Sequence, residues 1–171
     1  MHFFNQQSLR NLRNLLSLFF PRSFGFVSLV LLGLLGLAPC FLSAATIDDL
    51  NFTSINGDTE YSVSSKSRGI TGALEVPATY NEKPVTAIGN DAFSSCTELT
   101  SVRLPESMTY IGVRAFRKCE KLVQINLPDS ITQIDLYAFL DCDVLNNIII
   151  PSGVTVIKDS VFYHCYSLRT V

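Results

Sequence analysis

The chain has 171 residues, 13 basic against 15 acidic, giving a formal net charge of −2, with 47% hydrophobic and only 16% charged residues. That length sets one domain as the default. A mildly acidic chain with no lysine or arginine stripe argues against a nucleic-acid partner.

The first 45 residues differ from the rest. They hold Arg10, Arg13 and Arg22 and no acid before Asp48. An uncharged apolar run from Phe24 to Ala38 follows, then the small residues Ser43, Ala44 and Ala45. A basic start, an apolar middle and a small-residue end predict a secretory signal peptide over residues 1–45, cleaved after Ala45. The alternative is an uncleaved membrane anchor over residues 24–45, since that uncharged stretch is long enough to span a bilayer as a helix. A lipid-attachment box at Leu37-Ala38-Pro39-Cys40 fits poorly, because Pro39 stands where a small residue is wanted. Without the three arginines, ten basic residues face 15 acids, a net charge of about −5.

Residues 46–75 read as a small N-terminal β cap. Leu50 to Ile55 and Thr59 to Val63 alternate, with Asn56-Gly57 between them as a type I′ hairpin turn. Gly72 to Pro77 adds a further strand.

From residue 76 to 171 a fixed period of 23 takes over. It carries Cys96, Cys119, Cys142 and Cys165, then Phe93, Phe116, Phe139 and Phe162, then Leu99, Leu122, Leu145 and Leu168. Such a period means one small unit stacked on copies of itself. About 3.5–4 units are present, and the first, Val76 to Arg103, is lengthened by an insertion at Thr79–Pro84. Val102, Ile125 and Ile148 alternate with the apolar residue two places later, so each marks a short strand stopped by the proline that follows it, and Val171 holds the equivalent position. A second apolar pair (Val85/Ile88, Met108/Ile111, Ile131/Ile134, Val154/Ile157) encloses Thr86, Thr109, Thr132 and Thr155, which suits a second short strand. The Ala-Phe pairs are expected on a short helical turn with the ring inward. The predicted fold class is therefore a β-rich α+β solenoid, a leucine-rich repeat stack of 23-residue units with a small N-terminal β cap.

Ile88-Gly89 and Ile111-Gly112, three Ala-Phe pairs and four Cys-x-x-Leu steps, combined with Leu-x-x-(Val/Ile)-x-(Leu/Ile)-Pro, resemble the BspA-type leucine-rich repeat of bacterial surface proteins. Asp135 and Lys158 replace the glycine, which implies a less demanding turn there. The resemblance implies an exported module, secreted or displayed at the cell surface, used in adhesion or contact with partners. It also implies a bacterial host, where the Asn51-Phe52-Thr53 glycosylation sequon carries no consequence.

No constellation for catalysis, cofactor or metal emerges. Four cysteines in a line cannot surround zinc tetrahedrally, and residues of one column point in parallel, so free core thiols are expected rather than bridges. His164 has no repeating nucleophile or carboxylate beside it and is expected as a solvent-facing side chain. Asp141 and Asp143 lack the ligand series of a calcium loop. The expected working surface is the outward side of the main strands: Ser101, Arg103, Gln124, Asn126, Asn147, Ile149 and Thr170. On a solenoid these share one sheet face, suited to a protein or glycan partner. The alternative is a membrane-anchored structural or scaffold protein of the envelope without a dedicated ligand. The final residues carry no polar cap, so an open apolar end with self-association is a further expectation.

Overall fold

The computed structural model describes residues 44–169. The expected leader or anchor, apart from Ala44 and Ala45, lies outside the described residues, as do Thr170 and Val171 with their share of the expected open end. Residues 42–171 form a compact unit with its own core. Among the described residues no helix is long and apolar enough to cross a membrane.

The coils contribute strands to two sheets. The first holds β3 (Gly72–Glu75), β6 (Leu99–Arg103) and β8 (Gln124–Asn126), all parallel. The second runs in the order β1 (Leu50–Ile55), β2 (Glu60–Ser65), β5 (Lys83–Ile88), β7 (Tyr110–Ile111) and β9 (Gln133–Ile134), with β4 (Thr79–Tyr80) paired to β5. Ser101 faces Gln124, and Tyr110 faces Gln133, so partners stand 23 residues apart. A lone bridge from Gln124 to Asn147 extends the first sheet by one more coil.

Between the sheets the periodic side chains form rows. Phe93, Phe116, Phe139 and Phe162 stack with ring centroids 5.3, 5.4 and 5.6 Å apart and planes within 8°. Phe116 and Phe139 are therefore packed by a copy on each face, an arrangement that no unit achieves alone. Cys96, Cys119, Cys142 and Cys165 form a second row and all four are free. Cys119, Cys142 and Cys165 donate through Sγ to the carbonyls of Phe93, Phe116 and Phe139 in the preceding coil, at 3.2, 3.1 and 3.1 Å. A cysteine is small enough for this narrow turn and still supplies a weak donor.

The expected helical turn at Ala-Phe is not helical, and the α part of the predicted fold class is corrected accordingly. The only helical element among the described residues is a 3-10 turn at Ile47–Asp49. Two columns, Asp91, Arg114, Tyr137, Ser160 and Ser95, Lys118, Asp141, His164, adopt positive φ and break any helix. Alternate N–H groups point to the next coil instead: Asp91 to Val113, Phe93 to Ala115, Ser95 to Arg117, at 2.7 to 2.8 Å. A helix would spend those donors within one turn; the solenoid uses them to join turns.

Three local expectations also change. The β1–β2 connection is a four-residue loop rather than a type I′ turn, because Asn56, Gly57 and Asp58 are all left-handed. Side chains brace it, with Asn56 Nδ2 donating to Glu60 and Thr59 Oγ1 to the Asn56 carbonyl. A two-residue turn with both φ positive occurs instead at Asn81-Glu82, where the insertion folds as the β4–β5 hairpin. The fourth unit forms no second strand at Val154–Ile157. Ser107 and Ser130 pin the earlier coils through bonds to the Val85 and Met108 carbonyls, and the next place in that column is Gly153, which has no hydroxyl.

Candidate functional site

The outward side of the first sheet is a shallow groove of about 1040 Å³. Alternation along each short strand builds it: Leu74, Val102, Ile125 and Ile148 point into the core, while the residues on either side of them point out. Parallel pairing then stacks the outward residues into two columns. One contains Ala73, Ser101, Gln124 and Asn147, and the other Glu75, Arg103 and Asn126. Ser101, Arg103, Gln124, Asn126, Asn147 and Ile149 all line the groove, while Thr170 lies outside the described residues.

The chemistry of these positions is uneven. Arg103 Nε stands 3.9 Å from Glu75 with both side chains largely exposed, so the pair is loose and both charges are available to solvent. Asn126 is already occupied, because its Oδ1 accepts from the Leu104 N–H at 3.1 Å. That bond uses the amide's acceptor and leaves its NH₂ as a donor. Gln124 and Asn147 are exposed amides with both donor and acceptor to offer. Ile149 is 75% exposed and supplies an apolar edge.

Glu75 and Ala45 are among the groove residues that the period does not reveal. Glu75 is the partner of Arg103, but the insertion in the first unit displaces it from the 23-residue step, which would point to Tyr80. Ala45 joins the sheet edge, its N–H donating to the Ala73 carbonyl at 3.1 Å. No periodic signal marks it.

His164, expected to face solvent, keeps 39% of its side chain exposed but is also paired. Its Nδ1 lies 2.7 Å from Asp141 Oδ1, one coil below, and its ring packs between Tyr163 and Tyr166. Asp141 is thereby engaged. Among the described residues no cluster of three or more histidine, cysteine or acidic groups could hold a metal. Burial pushes the thiols of Cys96, Cys119 and Cys142 up, and that of Cys165 to about 11, the reverse of what a nucleophilic cysteine needs.

A β-solenoid whose parallel short strands present an open polar groove defines the class: a leucine-rich repeat protein. The family described as "BspA type Leucine rich repeat region (6 copies)" matches residues 76–171, more than half of the chain, and the chain belongs to it. Among solved structures, the T. pallidum leucine rich repeat protein is similar at 31% identity and a TM-score of 0.68, over 73% of this chain. This chain spans only 58% of that relative's length. A leucine-rich repeat protein from Bacteroides capillosus is similar at 27% identity and a TM-score of 0.61, covering 75% of this chain and 96% of its own. A leucine rich cell surface protein from Faecalibacterium prausnitzii is similar at 29% identity and a TM-score of 0.51, covering 72% and 38%. No curated protein matches.

Proposed function

We propose that this protein is an exported, non-catalytic binding module that holds a protein or glycan partner on its parallel short-strand face, in adhesion or another contact at the cell surface. The observation that carries the reading is the convergence of Ser101, Arg103, Gln124, Asn147 and Ile149 on one open groove. These side chains offer hydrogen bonds, one loosely held cation and an apolar edge. They make up a recognition surface and lack the nucleophile, base and orienting group of a catalytic site. The basic, apolar and small-residue order of the first 45 residues supports export, as does the likeness to a cell surface protein of F. prausnitzii.

An array of glycans and extracellular proteins identifies the partner. The triple variant Arg103→Ala, Gln124→Ala and Asn147→Ala should then lose binding by at least tenfold with an unchanged melting curve. Asn126 is left intact because it caps Leu104. Unchanged affinity in the folded triple variant would refute the assignment of this face.

A further inference from the structure

The second sheet ends at β1, and the direction of its backbone groups can be read from the pairing around it. Lys66 donates to the Asp49 carbonyl, whereas Ser65 donates to Ala92 and Val63 accepts from Gly89 in the next coil. Even-numbered residues of β2 therefore face β1 and odd-numbered ones face β5. On β1 the parity follows from the register: Asn51, Thr53 and Ile55 bond β2, and Leu50, Phe52 and Ser54 turn their N–H and C=O groups to the free edge. The Leu50 N–H is taken by the Ile47 carbonyl. The Leu50 carbonyl and both backbone groups of Phe52 and Ser54 have no strand beside them among the described residues.

Natural sheets blunt such an edge with lysine, proline, a bulge or a short strand. None is present here: Leu50–Ile55 carries no charge and no proline, and its register with β2 runs unbroken over six residues. By contrast, the free edge of β3 in the other sheet is covered by Ala45.

We infer that β1 is a docking edge for β1 of a second copy of this chain, the two strands pairing antiparallel about a two-fold axis at Phe52. That register gives four hydrogen bonds: each Phe52 N–H to the opposite Phe52 carbonyl, and each Ser54 N–H to the opposite Leu50 carbonyl. Leu50–Ile55 itself holds no charged residue, so no acid stands opposite an acid within the paired strands. The Phe52 rings, each stacked on Tyr80 of its own chain at 4.0 Å, meet as a cross-strand aromatic pair. The contact is isologous and closes as a dimer.

Sedimentation equilibrium of residues 42–171, which carry a core of their own, should show a monomer–dimer equilibrium below 100 μM. Ser54→Pro removes an N–H that faces the open edge and leaves every β1–β2 bond in place, so it should abolish the dimer without loss of structure by circular dichroism. Ser54→Lys, which keeps the strand backbone intact and places on the edge the kind of charge that natural edge strands use against pairing, is the second variant and decides the matter if the proline variant fails to fold. A wild-type monomer throughout that range, or a dimer that survives in a folded Ser54 variant, overturns the proposal.

Discussion

Two glycines at equivalent places in successive coils should respond to alanine in opposite ways. A Cβ built on Gly112 would lie 2.7 Å from Asn90 Oδ1 and 2.8 Å from both the Asn90 nitrogen and the Gly89 carbonyl carbon. Two of those three atoms are backbone and cannot rotate aside. Coil spacing there is set by the Gly112 N–H bond to Ile88 and by Asn90 Oδ1 accepting from the Val113 N–H at 2.9 Å. To reach an ordinary contact at 3.4 Å the coils must part by about 0.6–0.7 Å, and overpacking of this kind costs about 1–3 kcal/mol. The alanine regains about 0.5–1 kcal/mol by restricting the unfolded chain. Gly112→Ala should therefore be destabilising by about 1–2 kcal/mol. At Gly89 the nearest atom to the new Cβ is the Val63 carbonyl at 3.7 Å, an ordinary contact, so only the entropic gain applies. Gly89→Ala should be neutral or stabilising by up to about 1 kcal/mol. Urea melts of both variants, read at constant m-value, check the pair. If Gly112→Ala melts at or above the wild type, or Gly89→Ala loses as much as Gly112→Ala, the reasoning from coil spacing is wrong.

Four further outcomes follow from the same stack. Phe116→Ala removes a ring packed on both faces and should cost about 3–5 kcal/mol in thermal or urea unfolding, clearly more than the same change at the partly exposed Phe162. Lys118→Gly relieves an exposed left-handed residue and should stabilise by on the order of 0.5 kcal/mol, since the αL cost of about 1–2 kcal/mol outweighs glycine's entropy. With the Cys165 thiol pushed up to about 11 by burial, its thiolate at pH 8 is about a hundredth of that of an ordinary thiol of pKa 9.0, so alkylation followed by mass spectrometry should be slower by about that factor. The raised thiol pKa values also set a pH limit: their contribution to stability is intact below pH 9 and falls as the pH rises toward 11, which denaturant melts at pH 8 and 10.5 would show.

Much of this molecule was legible in its sequence because a period is a statement about one coil repeated. Phenylalanine, cysteine and leucine at every twenty-third place fixed which side chains share a row, and alternation around Val102, Ile125 and Ile148 put Ser101, Arg103, Gln124, Asn126, Asn147 and Ile149 on the outer side of the sheet. What the neighbouring coil does with the backbone was not legible. Donors at Asp91, Phe93 and Ser95 could close a helical turn or reach the next coil, and only the stacked arrangement decides for the second. The same holds where an insertion or a side chain's partner breaks the period: Glu75 meets Arg103 across 28 residues, and Asn126 spends its acceptor on Leu104. Gly89 and Gly112 are the same letter in the same slot, but only Gly112 sits beneath an asparagine that draws two coils together. Periodicity selects which side chains are buried. Distances between coils, which no single coil contains, select the bonds.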